Sequence, residues 1–440
     1  VLKGLGAGAL ALGTSGVLDL SLSRLATAAT KAPVGTGSTI RIGYVSPQTG
    51  SLAGFSLADS FVLKKVRGSS VFTKGLTIGG KKYSIEILTV DSQSDPNRAS
   101  QVAQNLILAN KVDLVVTSSA PETTNPVSEA CEQLHVPSLS TVVPWEAWYA
   151  GLGGNPLSPT KTFEYSTMFF FGIPQFASCF EAMWNRVRAT TGASKVFAGV
   201  FPNDSDGNAF RAAFPPSVKP GGYKFIDGGA YTDGTTNYSS MIEKFKAAGA
   251  DFFVNCPLPP DFNTFWKQAA QEGFKPKLAT VAKVLLFPAD VAALGSLANN
   301  IATDAWWTPF APYHSSLTGE SAKQFAIDYE TSSGNEWIQS MGSTYSLFEV
   351  AVEALRAVDD PHDRAQLASA LHKVNYTGIT GPINFAKGPA PGVGLVNPVG
   401  IQWKPGVSTY GKTFPWEAFV VDNTLNKDVP INGDLKPTFA

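Results

Sequence analysis

The sequence predicts an α/β chain built as two lobes, each a doubly wound parallel sheet. Three observations carry that expectation. The chain has 440 residues, more than one hydrophobic core usually supports. From residue 40 onward, short β-rich apolar runs alternate with helical patterns, as they do in βαβ units. The alternation recurs on both sides of residues 150–195, which argues for two sheets and not one.

The first thirty residues stand apart. Lys3 is followed by the Gly/Ala-rich run GLGAGALALG and then by Ala26-Thr27-Ala28, a triplet suited to a signal peptidase. Residues 1–30 therefore read as an export signal, against the alternative of an N-terminal helix of the folded protein. The apolar run falls short of the roughly 20 residues a membrane span needs. Its low hydrophobicity resembles twin-arginine signals, although no Arg-Arg pair is present. GLGAG follows no strand, so it is not a dinucleotide-binding loop. A Gly/Pro/Ser/Thr linker, 31–39, leads into the fold.

The first strand is expected at 40–45, ending in the turn Ser46-Pro47-Gln48-Thr49-Gly50. A helix over 56–66 then puts Leu57, Phe61 and Val62 on one face. After a strand at 83–90, Asp95 can cap a helix whose first residue is Pro96, where a missing N–H costs nothing. Val102, Ala103, Leu106 and Ile107 form its buried face. The run VDLVV at 112–116 is apolar enough to be covered on both sides. It leads through Ser118-Ser119 to a helix expected to start near Asn125-Pro126, then to a second strand and a loop carrying Trp145, Trp148 and Tyr149. Strand C-termini in such sheets border the ligand crevice, and a helix N-terminus there offers free N–H groups.

Further strands are expected at 196–201, 223–226, 251–255 and 278–281, with helices at 238–248, stopped by Gly249, and at 263–271. Residues 340–357 read as a helix apolar on all sides, hence buried. Beyond Gly378 the chain is Gly/Pro-rich, with short strands at 381–385, 399–403 and 419–421, a closing element and not a third core.

The formal net charge of −1, with no basic stripe, gives no reason to expect nucleic acid or an anionic membrane as partner. Cys131, Cys179 and Cys256 have no metal-ligand spacing and read as buried thiols, with one disulfide possible. The four histidines are scattered, and H-E-x-x-H, G-x-S-x-G and P-loop patterns are all missing. No metal or cofactor is expected, and no enzyme. What the chain does carry is six polar and aromatic loops at strand ends: 46–55, 117–125, 141–149, 203–207, 257–261 and 282–283. Together they describe a cleft between two lobes. Trp145 and Trp148 would line an aromatic slot in it.

The succession GYVSPQTGSLAGF, VDSQSDPNRASQVAQNLI, VDLVVTSSAPETTNPVSEACEQLHVPSLST, NYSSMIEKFKAAGADFFVNC and WKQAAQEGF resembles the periplasmic substrate-binding proteins of the leucine/isoleucine/valine-binding type, which serve ABC importers. The resemblance spans about 40–425 and implies type I periplasmic-binding architecture: Rossmann-like lobes joined by three hinge strands. By that likeness the first lobe is 38–164 with 308–378, and the second is 165–307 with 379–440. The resemblance also implies site residues. Phe55 matches an aromatic wall. Ser119, Ala120, Glu122 and Thr123, with Val142 and Val143, match loops that bind a solute's carboxylate and surround its amino group. Asp206 matches one aromatic position of the second lobe, and Leu258 or Pro259 another. Lys283 stands where amino-acid binders place an acid for the ammonium group; it would favour a further carboxylate, and Asp206 would stand in for the lost acid. Ser94 and Ala120 replace the family's disulfide cysteines. The implied function is an exported, periplasmic solute-binding protein that delivers an aromatic or other organic carboxylate, or a branched-chain or hydrophobic amino acid, to a membrane permease. A ligand-sensing regulatory module of the same fold is the alternative, and a periplasmic α/β enzyme the more distant one.

Overall fold

The structure, a computed structural model, describes residues 35, 37–406 and 413–439; the expected export signal and most of the linker lie outside them. In chain order the first six strands are β1 (Thr39–Ser46), β2 (Leu76–Ile78), β3 (Lys81–Asp91), β4 (Leu114–Ser118), β5 (Ser138–Thr141) and β6 (Ser166–Phe169). The helices among them are α1 (Asp59–Gly68), α2 (Ser70–Lys74), α3 (Pro96–Leu108), α4 (Pro121–Gln133) and α5 (Trp145–Gly151). After them come α6 (Ile173–Thr191), β7 (Val196–Pro202), α7 (Ser205–Val218), β8 (Lys224–Tyr231), α8 (Ser239–Ala247), β9 (Phe252–Asn255), α9 (Pro259–Gln271), β10 (Leu278–Val281), α10 (Pro288–Ala292) and β11 (Ala302–Ala305). The chain ends through α11 (Ala322–Ser333), α12 (Ser340–Arg356), α13 (Arg364–Leu371), the hairpin of β12 (Asn375–Gly378) and β13 (Gly381–Asn384), and then β14 (Val393–Gly394), β15 (Val399–Pro405) and β16 (Trp416–Asp422).

Two seven-stranded sheets result, ordered β14-β6-β5-β4-β1-β3-β2 and β16-β15-β11-β10-β9-β7-β8. Each is parallel through its centre and antiparallel at one edge, where β2 pairs with β3 and where β15 and β16 return beside β11. The expected all-parallel pairing therefore stops at these edges, which a hairpin or a returning tail can reach without a crossover helix. The chain passes between the sheets three times: from β6 to α6, after β11, and from β14 to β15. β6 and β14 pair in the first sheet, although both fall on the second-lobe side of the expected boundaries.

Strand periodicity places the cores. In β9, Phe252 meets Trp184 of α6 on one face, while its neighbour Phe253 meets Phe265 and Trp266 of α9 on the other. In the first sheet, Val115 packs with Val102, Ala103 and Val127 under α3 and α4, and Leu114 and Val116 pack on the side covered by α1 and α12. Asp95 caps α3 by accepting from the Arg98 N–H, with Pro96 in the first turn.

Several local expectations are corrected. α4 starts at Pro121, and Pro126 lies inside it; at Pro126 only one i→i−4 hydrogen bond is lost, early in the helix. The aromatic loop is the helix α5, in which the Trp148 and Tyr149 side chains are fully buried. Leu57 is 57% exposed, because a 3₁₀ turn at Ala53–Ser56 delays α1 to Asp59. The three cysteines are free and buried.

α12 is buried around its whole circumference, as expected, and meets Trp307 at Gly342. A Cβ there would stand 2.2 Å from Trp307 Cγ, and an indole enclosed on all sides has nowhere to move. Gly342→Ala is expected to lower stability by about 1–3 kcal/mol. A urea midpoint equal to that of the unaltered protein would contradict this packing.

Candidate functional site

The C-terminal ends of the strands of both sheets face a small cavity between the lobes. From the first lobe, Phe55 reaches it from the turn after β1, Ala120 from the end of β4, Val142 and Pro144 from the end of β5, and Phe170 from the end of β6. From the second come Phe176 of α6, Asp206 and Phe210 of α7, Cys256 after β9, Lys283 and Leu286 after β10, and Asp304 and Trp306 at the end of β11.

Both walls carry backbone strain. Val142, in the first lobe, has φ +66°, which a β-branched residue rarely adopts. Lys283, facing it from the second, has φ +66° and ψ −67°. There the Val284 N–H donates to the Ala282 carbonyl at 2.8 Å, closing a three-residue turn of the rarer hand. Such conformations cost on the order of 1–3 kcal/mol each and concentrate where a side chain must be aimed.

The turn aims Lys283 into a ring of carboxylates. Its Nζ lies 2.8 Å from Asp206 Oδ2, 3.7 Å from Glu122 Oε1 and 3.8 Å from Asp204 Oδ2. Asp204 is fixed as the N-cap of α7, accepting from the Gly207 N–H, and this start of the helix turns Asp206 inward. Burial alone would lower the Lys283 pKa, but the three acids outweigh it and hold the ammonium well above its ordinary value. Burial pushes the Asp206 carboxyl up to about 7; Lys283 opposes this, while Glu122 and Asp204 add to it. Asp304, buried with no neighbouring cation, is likewise pushed up to about 7. Because Glu122 belongs to the first lobe and Lys283 to the second, their ion pair spans the cleft. So does the edge-on contact of Phe55 with Phe287, whose ring centroids are 5.0 Å apart. The lobes are closed on one another.

A model of the periplasmic binding protein family matches residues 39–392. The chain belongs to that family. Among solved structures, it is similar to a leucine-binding protein from Thermotoga maritima at 18% identity and TM-score 0.66, over 86% of this chain and 97% of that one. It is also similar to a branched-chain amino acid transporter substrate-binding protein from Streptococcus pneumoniae, solved with isoleucine, at 19% identity and TM-score 0.65, over 86% and 99%. A solute-binding protein of an ABC transporter from Rhodopseudomonas palustris, solved with 3,4-dihydroxybenzoic acid, matches at 19% identity and TM-score 0.64, over 88% and 99%. Periplasmic binding proteins capture solutes and are not enzymes. Among the described residues no cluster of His, Cys, Asp and Glu is arranged to hold a metal, and no helix is long and apolar enough to cross a membrane.

In this periplasmic binding protein the residues singled out from sequence fall into four groups. Phe55, Ala120, Val142, Asp206 and Lys283 line the cavity, and Glu122 touches it through Lys283. Ser119, Thr123 and Val143 are buried and do not line the cavity; the hydroxyls of Ser119 and Thr123 have no hydrogen-bond partner. Leu258 lies with Phe287 along a groove at the mouth of the cleft. Trp145 borders a separate groove against α7, and Trp148 donates its indole N–H to Ser128 inside the first lobe. The aromatic lining comes instead from Phe55, Phe170, Phe176, Phe210 and Trp306. Apart from Phe55, none of these was singled out from sequence, nor was Asp304. The run Phe169-Phe170-Phe171 and the pair Trp306-Trp307, each just after a short strand, were the available signals.

Proposed function

We propose that this periplasmic binding protein is the extracytoplasmic solute-binding component of an ABC importer, trapping a small, largely apolar organic solute by hinge closure and presenting it to a membrane permease. The observation that carries this is a cavity walled by both lobes and bridged by Glu122 and Lys283. A site shared by two walls favours the closed state only when the ligand contacts both. In this reading 38–164 and 308–378 move as one body, together with β6 and β14, and the rest of the second lobe moves as the other. Export by a twin-arginine-type signal over residues 1–30 belongs to the same proposal. The aromatic lining suits a branched-chain amino acid and an aromatic acid alike, the solute classes seen in the similar structures. Lys283 lends less support to a carboxylate than its position suggested, since Asp206 already holds its charge.

A thermal-shift panel of hydrophobic amino acids, benzoates and amines tests the reading. A saturable rise in Tm with at least one of them is expected, amounting to about 2.7 kcal/mol at a concentration 100 times its Kd. A flat response across the panel would speak against solute capture in this cleft.

A further inference from the structure

We propose that the captured solute carries a protonated amine, held against Asp304, and needs no carboxylate. The proposal rests on the reading that the solute occupies the cleft cavity.

The charged groups lining that cavity are Asp206, Asp304 and Lys283. Lys283 is the sole cation lining it among the described residues, and three carboxylates lie within 4 Å of it. A solute carboxylate would therefore add a fourth negative charge around an ammonium already paired at 2.8 Å. The hydroxyls that could have received it, on Ser119 and Thr123, are buried and do not line the cavity. Asp304 is in the opposite position. It is fully buried and lines the cavity; Oδ1 accepts from the Thr303 hydroxyl at 3.2 Å, and Oδ2 has no hydrogen-bond partner. A buried carboxylate with an unused oxygen and no counter-ion is costly unless a cation reaches it. The solute is what enters this space.

The surroundings fit an ammonium on an apolar body. The ring of Trp306 packs edge-on to Phe170 at 5.0 Å, and both line the same cavity as Asp304, where aromatic rings can add cation–π attraction to an ammonium. The Trp306 indole N–H is also buried without a partner, which leaves it a donor for one neutral acceptor on the same solute. Burial divides the Asp304 carboxyl between its two forms near neutral pH, and an arriving ammonium favours the ionised one.

Calorimetry on the full chain with four probes of related branched skeleton separates the charges: isopentylamine, leucinamide, leucine and 4-methylpentanoate, with benzoate and 3,4-dihydroxybenzoate as further arms. Isopentylamine and leucinamide are expected to bind, leucine about tenfold more weakly than leucinamide, and 4-methylpentanoate not at all. Asp304→Asn keeps the side-chain shape and removes the charge; it should weaken isopentylamine by about tenfold or more while circular dichroism and Tm report an intact fold. Three results would overturn the proposal: tighter binding of 4-methylpentanoate or leucine than of the amines, amine affinity unchanged in Asp304→Asn, or binding of the benzoates alone. In the first and third, cleft capture would survive. If no probe bound, both readings would fall.

Discussion

Replacing Lys283 with Met is expected to lower stability by about 3–5 kcal/mol near pH 8, the usual cost of stripping a buried charge of its partner. The side chain is 6% exposed and its nearest partner, Asp206, 5%, so solvent cannot take over the counter-ion's role. Methionine fills most of the volume, and the loss is therefore electrostatic and not a cavity effect. Near pH 5 the deficit should shrink, because Asp206 can bind a proton in place of the ammonium. The double variant Lys283→Met with Asp206→Asn should regain much of the loss, since it removes both charges instead of one. Chemical denaturation at both pH values reads all three effects. Equal stabilities for Lys283→Met and the unaltered protein at pH 8 would show that the ring of acids does not depend on this cation.

The second large effect is on pH itself: Tm should fall as pH rises from about 4 to about 7, then level off. Burial raises the carboxyls of Asp59, Glu146, Asp206 and Asp304 to about 7 each. When unfolded these groups titrate near 4, so across that window the folded chain holds more protons than the unfolded one. Each rise in pH then favours unfolding, and the contribution is lost as pH passes through the folded values. Asp91, Asp227 and Asp328 are lowered and act in the opposite sense below this window; His372, lowered by burial, opposes inside it, but as one group against four. Scanning calorimetry across the range provides the test; a Tm that climbs steadily from pH 5 to pH 8 would mean that these carboxyls are not buried as described.

Features set by neighbours in the chain were legible before the fold was known. Asp95 and Pro96 announce the start of α3, and β10 spans the four residues expected of it, Leu278–Val281. Two sheets followed from the recurring alternation. The state of Lys283 was not legible, because its partners come from positions 122, 204 and 206 and meet only when two lobes close. The aromatic lining was hidden for a related reason. With 28 Phe in the chain, nothing local separates Phe176 and Phe210, which face the cavity, from Phe180 and Phe214, which pack inside the second lobe. Trp145 and Trp148 drew attention as loop aromatics only because α5 was not recognised as a helix. Asp304 sits in a four-residue strand, Ala-Thr-Asp-Ala, with too little apolar character to stand out.

The threefold passage between the sheets has a consequence for how this chain comes into being. One face of the first sheet is covered by α12, residues Ser340–Arg356, which follows β5 by about two hundred positions. During synthesis the early strands therefore have only α1 over that face, and its lid stays incomplete until most of the polypeptide has emerged. β14, which completes the edge of the same sheet, comes later still. The first half cannot settle on its own, and a fragment ending near residue 170 should be sticky and poorly folded. A chain whose first half waits for its last strands stays open late, and through that time its apolar strands are exposed to other unfolded chains.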